Sequence, residues 1–305
     1  MRREAREERD VTIHQVEHYH HGTYEKRRVF ASDRPNDATR DYRLVKDNSL
    51  PAMYGIELET EAFGITSSTT YANLLKQVCF QHFHNDLWKV ESDISLRGAD
   101  VAAECITQPM TRAFIRNNYR NFQAMYEMFS AFGIDNARTG DCGQHCHISA
   151  TCFGRTPGTQ NDAIRRFFFI VMRYFKTVCT MTCRNVSNTH YCQRAMPSLA
   201  YEMRLDDQFD HYCAVNLSHY SRGDIEFRVP GGQPDFESFR ATLETVFQLV
   251  DAAKNLTREQ CNDIRNVFRG CNQYVLDALR RANQAGYVSD EALADISADS
   301  VAVDW

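Results

Sequence analysis

The sequence predicts an α+β fold: a sheet that is apolar on one face and polar on the other, together with helices. Two observations carry this. Four stretches alternate apolar and polar residues with the period of two that puts neighbouring side chains on opposite faces of a strand, and four longer stretches repeat apolar residues at helical spacing. The chain has 305 residues, 43% of them hydrophobic and 11% aromatic. It is therefore able to bury a substantial core and reads as folded, not disordered.

In chain order, residues 1–50 form a polar extension. "MRREAREERD" nearly balances its charges, "HQVEHYHHGTYEKRR" is polar, and "SDRPNDATRD" is rich in turn formers. From Met53 the pattern tightens into one domain with no long linker. In "YGIELETEAF", Ile56 and Leu58 point to one face and Glu57, Glu59 and Glu61 to the other. Helical periodicity is present over 69–86 and over 111–132, the second ended by Gly133. "CGQHCHIS" is again a strand, with Cys146 and Ile148 opposed to His145, His147 and Ser149. A core helix is expected over 161–182. "AVNLSHY" alternates Val215 and Leu217 with Asn216 and Ser218, and "GDIEFRVPGG" sets Ile225, Phe227 and Val229 against Asp224, Glu226 and Arg228. The helix over 235–255 has Asp235 as candidate N-cap. A further helix is expected from "TREQ", where Thr257 and Gln260 have capping-box spacing.

Charge and composition exclude several functions. A net charge of -5 and a pI near 6.1 leave no basic footprint for a phosphate backbone, so nucleic acid is not an expected partner. The greasiest stretch, Phe167 to Met181, is interrupted by Arg173 and Lys176 and is too short to span a bilayer, so no membrane is expected. Eleven cysteines are an odd number, and the polar start of the chain does not read as a secretory leader. They are expected to be reduced thiols in a cytoplasmic protein.

Chemistry concentrates on one face of the strands. A polar strand face is ordinarily just solvated, but such faces usually mix Thr, Lys, Ser and Gln. Here the face carries clustered Glu and His, and carboxylates roughly 7 Å apart repel unless a cation sits between them. Oxygen ligands with an occasional imidazole point to a hard divalent cation, Mg²⁺ or Mn²⁺. The segment "TGDCGQHCHIS" also admits a zinc knot through Cys142, His145, Cys146 and His147. Strand alternation turns Cys146 away from both histidines, and no second Cys/His pair at finger-like spacing lies downstream.

Four signatures then come together in order. "YGIELETE", "ESDISLRGADVAAECITQPM", "GDCGQHCHIS" and "AVNLSHYSRGDIEFRVPGGQPDF" resemble those of the amidoligase family, carboxylate-amine ligases related to glutamine synthetase and glutamate-cysteine ligase. The G-x-E-x-E, G-x-H-x-H and E-F-R strands are specific only in combination. Cys146 stands where Val is usual. The resemblance divides the chain into the extension 1–50, a catalytic domain over 51–256 and a C-terminal helical extension over 257–305 packed on the same domain.

The resemblance implies a curved antiparallel sheet forming an active-site funnel, with helices packed on its outer face and ATP and divalent cations on its inner face. It assigns metal-binding acids to Glu57, Glu59, Glu104 and Glu226, and contact with metal or nucleotide phosphate to His145 or His147. Arg228 comes after the acid of E-F-R. Asp93 and Ser95 in "SDISL" correspond to a substrate or metal loop in which Ile94 replaces the usual Gly. Arg194 and Asn216 are further candidates for holding the nucleotide, with Arg173 and Arg184 weaker ones.

The implied reaction activates a carboxylate as an acyl phosphate, which an amine then attacks to give an amide. It needs screening of two approaching anions and no covalent protein nucleophile. The substrates would be a carboxylate donor and an amine acceptor. The alternatives are a glutamate-cysteine-ligase-like activity on small amino acids, or a non-catalytic metal-binding, nucleotide-binding or zinc-stabilised interaction protein.

Overall fold

The computed structural model describes residues 27–30, 38–42, 52–65, 67–83, 87–91, 100–137, 140–202, 205 and 212–301. Within the polar extension, β1 (Arg27–Phe30) and β2 (Ala38–Tyr42) pair antiparallel in a sheet of their own.

The main sheet has seven strands: β3 (Tyr54–Ala62), β4 (Trp88–Glu91), β5 (Val101–Thr107), β6 (Ile134–Asp135), β7 (Gln144–Ser149), β8 (Val215–Asn216) and β9 (Asp224–Phe227). Their order is β4-β5-β3-β7-β9-β8, with β6 also on β3. Every pairing is antiparallel. Directly opposed residues share a face, so the register decides which side chains meet. Glu59 lies opposite Glu104, Glu57 opposite His145, and Glu226 opposite both His147 and Asn216. The expected strands at 54–63, 142–149, 214–220 and 223–232 are therefore present in shortened form, and β4, β5 and β6 join them.

The opposite face is the core. Tyr54, Ile56, Leu58, Cys105, Cys146, Ile148, Ile225 and Phe227 are buried there. Helices cover it. Phe167, on the helix Pro157–Arg173, stacks edge-on against Phe227 with ring centroids 5.6 Å apart. Phe247, on the helix Phe236–Asn255, meets Tyr54 at 4.8 Å. The helix Ser68–Gln81 brings Cys79 Sγ to 3.9 Å from Cys105 Sγ. All eleven cysteines are free thiols, and all but Cys183 are buried. No described helix is long and apolar enough to cross a membrane.

Helix ends obey the local sequence. Asp235 caps Phe236–Asn255 by accepting from the Ser238 amide. Two helices expected to be continuous are broken. The 111–132 stretch splits into Arg112–Asn117 and Tyr119–Ala131, because Asn118 turns its own Nδ2 onto the Phe114 carbonyl at 2.8 Å. Asn competes with the helical ladder in this way. The 161–182 stretch divides at Tyr174 into Pro157–Arg173 and Phe175–Met181. The capping box at Thr257 and Gln260 forms reciprocally, at 2.9 and 3.2 Å. It opens only a 3-10 turn, Gln260–Asn262, and then one turn of helix, Ile264–Val267. Longer helices, Gln273–Gln284 and Asp290–Ala298, complete the C-terminal part.

A buried acid on the helix Phe236–Asn255 ties three other elements of the helical layer to it. Glu244, 1% exposed, accepts from Arg116 Nε and Nη2 at 2.9 and 2.6 Å, from Tyr119 Oη at 2.7 Å and from Asn272 Nδ2 at 2.8 Å. Removing one partner of a buried ion pair leaves the other charge uncompensated. Glu244→Ala is expected to lower unfolding free energy by about 3 kcal/mol, measured by urea denaturation.

Candidate metal centre

The polar face of the sheet gathers residues from β3, β5, β7 and β9. Glu57, Glu59, His145, His147 and Glu226 are buried, and Glu104 is half-buried. His145 sits at the middle. Its Nδ1 is 3.3 Å from Glu57 Oε2 and 3.5 Å from Glu226 Oε1, and its Nε2 is 3.9 Å from Glu59 Oε1. His147 reaches Glu57 Oε2 with Nε2 at 3.2 Å and Asp224 Oδ2 with Nδ1 at 2.9 Å. Strand alternation accounts for this directly: both imidazoles point away from Cys146, which lies in the core.

Among the described residues, two groups have ligand atoms within 4.8 Å of one another, close enough to hold a metal ion. One is Glu57, Glu104 and His145, and the other is Glu57, His147 and Glu226. They share Glu57. The set is rich in carboxylate oxygen with one imidazole in each group, which fits a hard or borderline divalent cation. The cysteines do not take part. Burial pushes the Cys146 thiol up to about 12. Burial, then the nearby Glu61 and Glu59, push Cys142 far above its ordinary range. Neither cysteine belongs to a candidate ligand group among the described residues, so the zinc knot has no support in the geometry.

Two arginines come onto the same face. Arg228 donates through Nη1 to Glu226 Oε1 and through Nε to the Tyr191 carbonyl at 3.1 Å. Arg184 donates through Nε to Val229 O at 3.1 Å and through Nη2 to Pro230 O at 2.8 Å. It is carried there by a reversal after Phe175–Met181, where Cys183 adopts a left-handed φ of 60°. Gly231 makes room for that turn, because a Cβ at this position would lie 2.6 Å from the Cys183 carbonyl oxygen.

Gly143 has a similar role inside the site. Its amide donates to Glu59 Oε2, and a Cβ would come within 2.8 Å of His145 Nε2, 3.0 Å of Arg184 Nη2 and 3.1 Å of Glu59 Oε2. The sequence marks Gly143 as the glycine of the G-x-H-x-H strand without a role of its own, and Arg184 only as one of several weak candidates. The signal that identifies both is contact across the sheet, which no local pattern carries.

Other expected residues are distributed differently. Asn216 lies beside the site, where its Nδ2 donates to Glu226 Oε2 at 2.8 Å and its Oδ1 accepts from the Ser218 amide at 2.9 Å. It organises an acid of the cluster. Arg194 is exposed and gives its Nε to the Met172 carbonyl at 2.9 Å, at the end of the helix Pro157–Arg173. The loop arginine brought to the polar face is Arg184 in its place. Arg173 is exposed and lies over the Tyr174 ring. Asp93 and Ser95 lie outside the described residues.

Mutual charge shapes the ionisation of the cluster. Burial opposes the charge on Glu226, but Arg228 and then the two histidines outweigh it and hold the carboxyl below its ordinary value. Burial also opposes the charge on Arg228, and Glu226, Glu57 and Glu59 overcome it. For His147 burial disfavours the imidazolium, yet Asp224 and Glu57 raise its pKa well above the usual histidine value.

The chain matches no protein-family model and no curated protein.

This geometry has two measurable consequences. Gly143→Ala puts a methyl group among His145, Arg184 and Glu59, so divalent-ion affinity should fall about tenfold or more, with an unchanged far-ultraviolet dichroism spectrum. In the metal-free protein His147 has a raised folded-state pKa, so its stabilising contribution is fully present below about pH 6.5 and is lost as pH rises through the folded value. The unfolding free-energy difference between wild type and His147→Gln should therefore be largest in mild acid and vanish in alkali.

Proposed function

We propose that the protein is an ATP-dependent carboxylate-amine ligase that forms an amide or isopeptide bond through an acyl phosphate. The observation that carries this reading is the pair of acid and imidazole groups sharing Glu57, with Arg228 and Arg184 beside them on one sheet face. The stretches that resemble the amidoligase signatures supply Glu57, Glu104, the two histidines and Glu226 of these groups. On this reading the sheet is the curved wall of a funnel with the substrates inside it.

Glu57, Glu104, His145, His147 and Glu226 would hold Mg²⁺ or Mn²⁺, with Glu59 fixed at their edge by the Gly143 amide. Bound cations would neutralise phosphate charge and orient the transferring group. A carboxylate oxygen of the donor attacks the γ-phosphorus of ATP and ADP leaves. The amine nitrogen then attacks the acyl carbon, a proton is lost from nitrogen, and inorganic phosphate departs. Arg228 and Arg184 supply fixed positive charge where the two anions approach. No serine or cysteine nucleophile is needed. ATP would be held without a Walker loop, since "GxxxxGK[ST]" does not occur in the chain.

The test is ADP release by the purified protein with pooled amino acids and peptides, with Mg²⁺ or Mn²⁺ and with chelator. Divalent-dependent release is expected. Glu57→Gln, which keeps shape and removes charge from both groups, and His145→Ala or His147→Ala should each lower turnover by about a hundredfold or more. Arg228→Lys keeps charge but loses the planar fork and should also cause a large loss. Full turnover in both histidine variants would remove the chemistry from this face. Metal binding with no ATP turnover under any condition would leave a metal-binding protein.

A further inference from the structure

We propose that Asp224 is a positioning residue that fixes which nitrogen of His147 faces the acids, and so reserves the Glu57, His147 and Glu226 group for Mn²⁺ in preference to Mg²⁺. The inference rests on the metal reading above and adds to it the selectivity of one of its two groups.

The two histidines are held differently. Asp224 Oδ2 lies 2.9 Å from His147 Nδ1, and a carboxylate only accepts, so Nδ1 carries the hydrogen. Nε2 faces Glu57 Oε2 at 3.2 Å and donates to it in the metal-free protein; a cation taken up between them would displace the Nε2 proton, and with Nδ1–H still held by Asp224 this nitrogen would be the one to ligate. His145 has no such outside anchor among the described residues. Its Nδ1 faces Glu57 and Glu226 and its Nε2 faces Glu59, all acids of the cluster itself.

Asp224 belongs to neither ligand group. It sits one step further out, opposite Ser149 in the ladder, with a side chain 23% exposed against 8% for Glu57. A carboxylate behind a ligating imidazole orients the ring and raises its basicity, and loss of such a partner costs about 10–100-fold in metal affinity. A committed imidazole nitrogen favours ions that accept nitrogen. Mn²⁺ does so readily, whereas Mg²⁺ demands oxygen and keeps its waters.

The measurement is Mn²⁺ binding monitored by the electron paramagnetic resonance signal of the free ion, with Mg²⁺ affinity obtained by competition. Wild type, Asp224→Ala and Asp224→Asn are compared. Asp224→Asn keeps the shape without the charge, so the comparison survives if the alanine variant does not fold. Loss of Asp224 should weaken Mn²⁺ at one of two sites by about 10–100-fold while Mg²⁺ affinity changes much less, narrowing the Mn²⁺ preference. Unchanged Mn²⁺ affinity, or an equal loss for both ions as a merely structural role would give, overturns the assignment and leaves the metal reading standing. Wild-type protein that binds neither ion overturns both.

Discussion

Burying like charges on one sheet face is the constraint around which the rest of the molecule is arranged. Residues two apart on a strand lie about 7 Å from one another, and two carboxylates at that distance repel by about 2 kcal/mol at an effective dielectric of about 20. Glu57, Glu59 and Glu61 stand in such a row, and Glu104, Glu226 and Asp224 join them from neighbouring strands. Arg184 and Arg228 offset only part of that charge. The raised pKa of His147 expresses this imbalance, since Asp224 and Glu57 outweigh burial there, whereas Glu226 is held low by the positive charge of Arg228 and the histidines that the face has drawn in.

The scaffold meets this demand by removing side chains as well as by supplying them. Gly143 and Gly231 bridge one another beyond the ends of β7 and β9, and both are places where a Cβ would strike a functional segment. One lets Arg184 and His145 close on Glu59, and the other lets the chain reverse at Cys183. Beneath them the apolar face is closed by aromatic contacts such as Phe167 on Phe227 and Phe247 on Tyr54. A rigid floor of this kind holds carboxylates in positions that they would not adopt unaided.

Much of the face was legible in the sequence because a period of two is a strong local signal. It put Glu57, Glu59, His145, His147 and Glu226 on one side and Cys146 on the other without any tertiary information. What it missed has physical reasons. β5 reads "VAAECIT", in which small and apolar residues interrupt the alternation around Glu104, and β6 has only two residues. The helix breaks at Asn118 and Tyr174 depend on local backbone choices that an apolar stripe does not register. Arg184 owes its place to a turn whose geometry is set by Gly231, some 47 positions along the chain, while Arg194, more exposed to view in its loop, spends its guanidinium on a helix end.

That both candidate ligand groups include Glu57 means they cannot behave as independent binding sites. A carboxylate that has oriented toward one cation presents a different oxygen, and less negative charge, to a second. Occupancy of one group therefore changes the affinity of the other, and by thermodynamic reciprocity the second changes the first by the same factor. Filling of the face would be governed by a coupling free energy, with a binding curve steeper or shallower than that of two separate ions. The sign of that coupling is decided by whether Glu57 bridges the pair or must choose between them.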